Sequence, residues 1–233
     1  MFKNLKNQGA LGITLAAAGI LMITMGARQS IGLFVGPMNT STGLGIATIS
    51  FALAIAQFTW GAVQPIAGAA ADRWGPRAVL IGGVLMLAVG TAITPLMGTG
   101  PGLIFAQGLL VAAGAGAGSF SVLIGAAAQR MPAASRGSAS GVINAGGSLG
   151  QFVFAPIAQK LIQFVGWMGA MYTLAVMALL ALPLIGRVTN GGNTAHTATA
   201  ADTDGGLRRA LKEAMGDRSY LLLHAGFFTC GFH

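Results

Sequence analysis

Charged side chains are scarce in this chain of 233 residues. Only 8% of the residues are Asp, Glu, Lys or Arg, whereas 54% are hydrophobic, and the mean hydropathy is +0.73. Soluble domains carry about a quarter charged residues. A chain with so little charge cannot cover a water-facing surface, so the composition indicates an integral membrane protein in contact with lipid.

Acidic residues are rarer than basic residues. The chain has 5 acidic residues against 13 lysines and arginines, which gives a net charge of +8. The acids are Asp72, Asp202, Asp204, Glu213 and Asp217, and all of them fall between apolar runs. Apart from Arg28, which lies inside the first run, the basic residues also stand between apolar runs or at their ends and do not form a stripe, so we expect no nucleic-acid partner.

The residue types that enzymes and metal sites need are also lacking. Cys230 is the single cysteine, which excludes an intrachain disulfide. His196 lies in a polar stretch, and His224 and His233 lie in the last apolar run. There is no nucleophile–base pair, metal-ligand spacing or phosphate loop, so we predict neither an enzyme nor a cofactor or metal site.

Long apolar runs, in contrast, fill most of the sequence. Six are long enough to cross about 30 Å of hydrocarbon as helices. Their predicted bounds are Leu11–Phe34, Ile46–Ala70, Ala78–Leu96, Leu103–Ala128, Gly137–Ile162 and Met168–Ile185. The first is too long, and too poor in cleavage signals, to be a signal peptide. A seventh run begins near Tyr220 and ends after 14 residues at His233, too short to cross, which predicts a truncated chain.

These runs divide the chain into three predicted regions. Residues 1–186 form a transmembrane bundle, residues 187–218 a cytoplasmic loop that ends in an amphipathic helix, and residues 219–233 the start of a seventh helix. If the N-terminus is cytoplasmic, nearly all loop arginines and lysines share that side, with Lys160 as the exception. The positive-inside rule therefore predicts a cytoplasmic N-terminus.

Two segments with matching ends suggest an internal repeat. "PIAGAAADRWG" (Pro65 to Gly75) and "PIAQKLIQFVG" (Pro156 to Gly166) have the same Pro-to-Gly spacing and close the second and fifth spans. Transporters are often built from such repeats. We therefore predict a bundle of two three-helix units.

Polar residues lie on one face of two of the spans. Gln57, Trp60 and Gln64 are spaced i, i+3, i+7 in the second span, and Asn144, Ser148 and Gln151 are spaced i, i+4, i+7 in the fifth. We interpret the two faces together as the walls of a water-filled cavity. The alternative is that these side chains only hydrogen-bond neighbouring helices to one another.

The stretch "GAAADRWGPRAVL", Gly68 to Leu80, packs three charges into a short loop after the second span. It resembles the signature loop of the major facilitator superfamily, which runs Gly, three residues, Asp, a basic residue, one residue, Gly and further basic residues. The matching positions are Gly68, Asp72, Arg73, Gly75 and Arg77, while Pro76 departs from the pattern. The resemblance implies the N-terminal half of a twelve-helix fold, with a C-terminal six-helix bundle as its partner.

In that family the loop contacts the other bundle and biases the closed-inside state. The resemblance thus implies a conformational role for Asp72, with Arg130 at the end of the fourth span as its partner. We expect Asp72 at a helix N-terminus, where the dipole favours negative charge, and Gly68 where a neighbouring helix passes close. The alternative is that these charges only fix the topology.

Arg28 lies inside the first span, where an arginine costs on the order of 2.5–3.5 kcal/mol and usually faces the bundle interior. No span contains a carboxylate to neutralise it. If Arg28 faces a cavity, its counter-ion is the substrate, most simply a small carboxylate. The alternative is that Arg28 snorkels to the outer interface.

The segments "ARQSIGLFVGPM" and "HAGFFTCGFH" are similar to the monocarboxylate and oxalate/formate branch of the superfamily. That resemblance implies a multi-pass protein of the plasma membrane, the inner membrane in a bacterium. In this branch the proton-coupling residues lie largely in the second bundle.

We therefore predict a secondary transporter of a monocarboxylate, working by alternating access and coupled to protons or to exchange. Arg28 would provide the charge of the substrate site. The expected walls of that site are Gln57, Trp60, Ser121, Asn144 and Gln151. Two alternatives stay open: a drug/proton antiporter, and a half-length membrane protein that acts as a sensor or assembly partner.

Overall fold

The structure is a computed structural model that describes residues 8–189 and Gly216. The chain divides into two compact units, Met1–Ala195 and His196–His233. In the second unit, Gly216 is helical and exposed. The predicted amphipathic helix and seventh span lie outside the described residues, apart from this glycine.

Helices make up nearly all of residues 8–189. They are α1 (Gln8–Gln29), α2 (Val35–Thr42), α3 (Ile46–Trp74), α4 (Pro76–Ile93), α5 (Gly100–Leu103), α6 (Ala112–Ala117), α7 (Phe120–Ala128), α8 (Ala133–Leu179) and α9 (Ala181–Thr189). The 3-10 turns Ser30–Phe34 and Thr94–Leu96 follow α1 and α4, and a π-helix, Ile104–Val111, joins α5 to α6.

Five helical stretches among the described residues are long and apolar enough to cross a membrane. They are Gly9–Thr42, Ile46–Trp74, Pro76–Leu96, Gly100–Ala128 and Ala133–Thr189. The prediction of an all-α protein with membrane-spanning helices is therefore confirmed for this part of the chain. The three-plus-three repeat stays a prediction.

The fifth stretch folds back on itself. Its 57 residues would extend about 85 Å as one straight helix, far more than a bilayer needs. Gly166 breaks it with φ 72° and ψ 170°, a conformation that glycine adopts without strain. Contacts with α1 show the reversal: Gly146, before the break, meets Ala18, and Leu184, after it, meets Gly19. The break falls between the predicted fifth and sixth spans.

Glycines bring α1 and α8 into close contact. A methyl group built on Gly146 would lie 2.6 Å from the carbonyl oxygen of Ala18, and one on Gly150 would collide with the carbonyl of Met22. Small residues let membrane helices approach in this way. At Gly137 and Gly141, earlier in α8, such a methyl would have no described atom within 4 Å.

Helix α3 is the least buried of the membrane-spanning helices. In its most apolar window 11% of the residues are buried, against 39–56% in the other four stretches. Much of its surface is thus left uncovered by the described residues. The polar residues of α3 border the cavities in which the candidate site lies.

Candidate functional site

Three cavities border α3, one after another along the helix. The Arg28 cavity, of about 250 Å³, includes Arg28, Gln57 and Gln107 in its lining. The Trp60 cavity, of about 200 Å³, includes Trp60, Gln64, Asn144 and Gln151. The Asp72 cavity, of about 420 Å³, includes Gln64, Gly68, Asp72 and Ser121. The polar face predicted on the second span therefore lies along a series of cavities.

Arg28 lies in the interior of the bundle. It lies near the end of α1, lines the Arg28 cavity together with Gln57 of α3, and is only 8% exposed. Its guanidinium carbon lies 4.4 Å from the centre of the Trp60 ring, which is within cation–π distance. Its Nη1 donates a hydrogen bond to Oε1 of Gln29 at 3.1 Å. This placement differs from that of a snorkelling arginine, whose charged end would be exposed.

Among residues 8–189, no acidic side chain lines the Arg28 cavity. Asp72 is the one acid in the sequence between residues 8 and 189, and it lines a different cavity, where it is exposed. The described neighbours that Arg28 contacts are an aromatic ring and a neutral amide. Both stabilise a cation, but neither carries the negative charge that would balance it.

Trp60 separates the Arg28 cavity from the next one along α3. Its ring faces the guanidinium, and the same residue lines the Trp60 cavity together with Asn144 and Gln151. The indole Nε1 is buried and has no hydrogen-bond partner among the described residues. Trp60 thus acts on Arg28 through its ring and not through its N–H.

Two residues of the Arg28 cavity were not among the substrate-site residues predicted from the sequence. Gln29 is a hydrogen-bond partner of Arg28, and Gln107 is a lining residue that is only 3% exposed. Gln107 lies in the π-helix, a geometry that occurs frequently at functional sites. The polar residues of the fourth span were visible in the sequence. The periodicity of an α-helix, however, does not predict which face of a π-helix a residue occupies.

Ser121 lies apart from the other residues predicted to bind substrate. It lines the Asp72 cavity, where its hydroxyl is 2.9 Å from that of Ser119. The structure thus distributes the predicted set over three cavities: Arg28 and Gln57 in the first, Trp60, Asn144 and Gln151 in the second, and Ser121 in the third.

The signature loop is a tight turn between α3 and α4. Gly75 has φ 86°, which glycine tolerates, and Pro76 opens α4. Asp72 lies in the last turn of α3, so the expectation of a helix N-terminus is wrong: the chain continues as helix to Trp74. A methyl group on Gly68 would meet no atom within 4 Å, so the expected close neighbour is not among the described residues.

Three arginines lie in or near this loop. Arg73 is exposed and lies 5.7 Å from the centre of the Trp74 ring, and Arg77 is exposed in the first turn of α4. Arg130 donates through Nη1 to the carbonyl oxygens of Arg187 and Val188, both at 3.0 Å. In this conformation Arg130 therefore caps the end of α9, and its expected pairing with Asp72 stays a prediction.

The chain matches a family of known proteins over most of its length. Residues 17–233 match the model of the Major Facilitator Superfamily. An oxalate:formate antiporter of Oxalobacter formigenes is 30% identical over 169 residues, which are 72% of this chain and 40% of that protein. A probable sulfoacetate transporter of Cupriavidus necator is 30% identical over 140 residues, which are 60% of this chain and 31% of that protein. The chain thus spans two-fifths or less of the length of these relatives, and it belongs to the Major Facilitator Superfamily.

Proposed function

We propose that the full-length protein containing this chain is a secondary transporter of a small organic anion, and that Arg28 binds the anion. The observation that carries the proposal is the buried guanidinium in a cavity that has no acidic side chain among its described lining residues. A buried charge without a partner is costly. An anionic substrate would supply the missing negative charge, and its attraction to Arg28 would contribute to its binding.

The contacts of Arg28 leave room for such a ligand. Trp60 covers a face of the guanidinium, and Gln29 accepts from Nη1. A guanidinium has five N–H donors in its plane, and a carboxylate binds two of them in parallel. Gln29 accepts from one nitrogen of the guanidinium, so other N–H groups can donate to a carboxylate of the substrate.

The size of the cavity favours a small substrate. Its volume of about 250 Å³ lies below the range of about 300–1,000 Å³ that is usual for drug-sized ligands. We therefore propose a monocarboxylate of a few carbon atoms. The names of the two relatives, an antiporter of oxalate and formate and a probable transporter of sulfoacetate, support an organic anion as cargo.

The row of cavities along α3 is consistent with alternating access. We propose that the substrate passes from the Arg28 cavity along the Trp60 cavity, where Asn144 and Gln151 contribute neutral hydrogen-bonding groups. The Asp72 loop would bias the conformation, with Arg130 as a partner for Asp72 in another state. In this proposal transport is coupled to exchange or to protons, and the protein lies in the plasma membrane. Its N-terminus is cytoplasmic, and a C-terminal bundle completes the fold.

A drug/proton antiporter is the second candidate, and the charge of the cavity argues against it. Such proteins carry cations, whereas Arg28 would repel a cation from the Arg28 cavity. A half-length protein that transports nothing is less favoured, because the chain belongs to a superfamily of transporters and the relatives it matches are named as an antiporter and a probable transporter.

Uptake by the full-length protein in proteoliposomes tests the proposal. We expect saturable uptake of radiolabelled lactate, pyruvate, formate or oxalate, and a loss of about a hundredfold in Arg28→Gln, because two charge-assisted hydrogen bonds disappear. Lys160→Gln is the matched control, since it removes a positive charge from an exposed site outside the three cavities. Uptake by Arg28→Gln within threefold of the parent protein would refute the role of Arg28.

A further inference from the structure

Three arginines lie where helices α7, α8 and α9 end or begin. Arg130 follows α7, Arg136 lies at the start of α8, and Arg187 lies in the last turn of α9. Nη1 of Arg130 donates to the carbonyl oxygens of Arg187 and Val188, both at 3.0 Å. Nε of Arg136 donates to the carbonyl oxygen of Met131, the residue after Arg130, at 3.4 Å. These contacts bring the three residues together at one end of the bundle, as a group that we call the arginine cluster.

The charges of Arg136 and Arg187 are not balanced by any described side chain. Both arginines are exposed, and the partner of Arg136 within residues 8–189 is a neutral carbonyl group. Asp72 is the one acid in that part of the sequence, and it lies in the last turn of α3, where it lines the Asp72 cavity. The first turn of α8 contains no acid, so the positive end of its dipole adds to the charge of the cluster. An anion bound here would offset this excess of positive charge.

An exposed apolar strip leads along the last membrane-spanning stretch to Arg187. Val176 is 63% exposed and Leu180 59% exposed, and Pro183 is exposed as well. With Arg187 they follow the spacing i, i+4, i+7, i+11, which places side chains on one face of a helix. Leu180, which separates α8 from α9, keeps helical φ and ψ of −64° and −14°, so the face continues across the junction. The strip is therefore apolar along its length and positive at its end.

We propose that the arginine cluster binds an anionic phospholipid, whose phosphate accepts hydrogen bonds from Arg136 and Arg187. A guanidinium donates to phosphate oxygens through two parallel N–H groups, and basic pockets between membrane helices bind anionic headgroups. Arg130 already donates to the carbonyl oxygens of α9, so the other two arginines are the groups that meet the phosphate. None of the three lines the Arg28 cavity, and the inference does not depend on the cargo.

The apolar strip and the charge of the cluster together decide which phosphate compound fits. The acyl chains of a bound lipid cover Val176 and Leu180, whereas a free phosphate has no apolar part that could do so. Phosphatidylcholine has the same acyl chains, but its own ammonium group neutralises its phosphate. A lipid of net negative charge, such as phosphatidylglycerol, therefore matches both the strip and the cluster.

A lipid titration of the purified full-length protein in a neutral detergent tests the inference. Dioleoylphosphatidylglycerol and dioleoylphosphatidylcholine are added separately, and the lipid concentration that gives half of the maximal rise in thermal midpoint is measured. We expect phosphatidylglycerol to act at about a tenfold lower concentration, because its phosphate has no competing ammonium group. Equal concentrations for the two lipids, or no rise with either, would overturn the inference. An equally large rise with inorganic phosphate alone would also overturn it, because the ligand would then be a soluble anion.

Substitution of the two exposed arginines tests the position of the site. Arg136→Gln and Arg187→Gln should each raise the half-maximal concentration of phosphatidylglycerol about fivefold, because charge-assisted hydrogen bonds to the phosphate disappear. Arg73→Gln is the matched control, since it removes an exposed arginine outside the cluster, and its half-maximal concentration should stay within about twofold. An equal rise in Arg73→Gln and Arg187→Gln would indicate a general attraction to the net charge of +8, and would overturn the site.

A third substitution tests the apolar strip without changing the charge. Leu180→Gln should raise the half-maximal concentration of phosphatidylglycerol about fivefold, because an amide replaces apolar surface that the acyl chains cover. Leu85→Gln is the matched control, since Leu85 is an exposed leucine of α4, away from the strip. Equal half-maximal concentrations in Leu180→Gln and Leu85→Gln would contradict the assignment of the strip to lipid chains.

Discussion

Arg28 and Arg130 both contact other groups of the bundle, but the groups around the two guanidinium ions differ. Arg130 donates to two backbone carbonyl oxygens at the end of α9, each at 3.0 Å. The C-terminus of a helix carries partial negative charge, so this is a favourable place for a cation. Arg28 is more deeply buried and contacts an aromatic ring and one amide.

The difference supports the proposal that Arg28, and not Arg130, binds a ligand. The acceptors of Arg130 are backbone carbonyl oxygens of α9. Because these acceptors are a permanent part of the fold, we interpret Arg130 as a residue that stabilises the packing of the helices. The groups around Arg28 hold the guanidinium in place without neutralising it, and its cavity still has space for a ligand. A transport site needs such an incomplete set of partners, because the last partner must arrive and leave.

Exchanging each arginine for lysine is expected to give the largest contrast. Arg28→Lys keeps the charge but loses the planar fork, so the concentration of lactate for half-maximal uptake should rise about thirtyfold. Arg130→Lys keeps a donor that reaches backbone carbonyls, and its half-maximal concentration should stay within twofold. Proteoliposome uptake measures both. An equal effect of the two substitutions would remove the distinction between a binding and a packing arginine.

The ring over Arg28 is expected to contribute less. Trp60→Leu removes the cation–π contact, worth about 1 kcal/mol at a partly desolvated site, so the half-maximal concentration should rise about fivefold. Trp60→Phe keeps a ring and deletes only the indole N–H, which has no partner among the described residues. The half-maximal lactate concentration of Trp60→Phe should stay within twofold of that of the parent protein. If Trp60→Phe is as impaired as Trp60→Leu, the indole N–H and not the ring is the important group.

The length and hydrophobicity of the runs were sufficient to predict the membrane-spanning helices. A connection between Ile162 and Met168 was also predicted, and the break at Gly166 falls within it. The interior position of Arg28 followed from the scarcity of acids, since a lone arginine in a span favours a cavity over lipid.

The details of the site depend on helix geometry that residue spacing does not specify. Gln107 belongs to the polar content of the fourth span but was not assigned to the substrate site, and the π-helix in which it lies departs from the periodicity of 3.6 residues on which helical faces are predicted. Ser121 was assigned to the substrate site on polarity alone, and the structure turns it to the Asp72 cavity. The end of α3 after Asp72 was misjudged, because helix boundaries shift by a few residues without any strong signal in the sequence.

The central claim is that the negative charge opposite Arg28 is supplied by the cargo. The most direct test is to supply that charge from the protein, by Gln57→Glu in the Arg28 cavity. We expect the affinity of the purified full-length protein for lactate to fall at least about tenfold while its thermal midpoint rises, because a carboxylate now pairs with Arg28. The same change at Gln64, in the Trp60 and Asp72 cavities, should have a smaller effect on both. Unchanged affinity and unchanged thermal stability in Gln57→Glu would contradict the account.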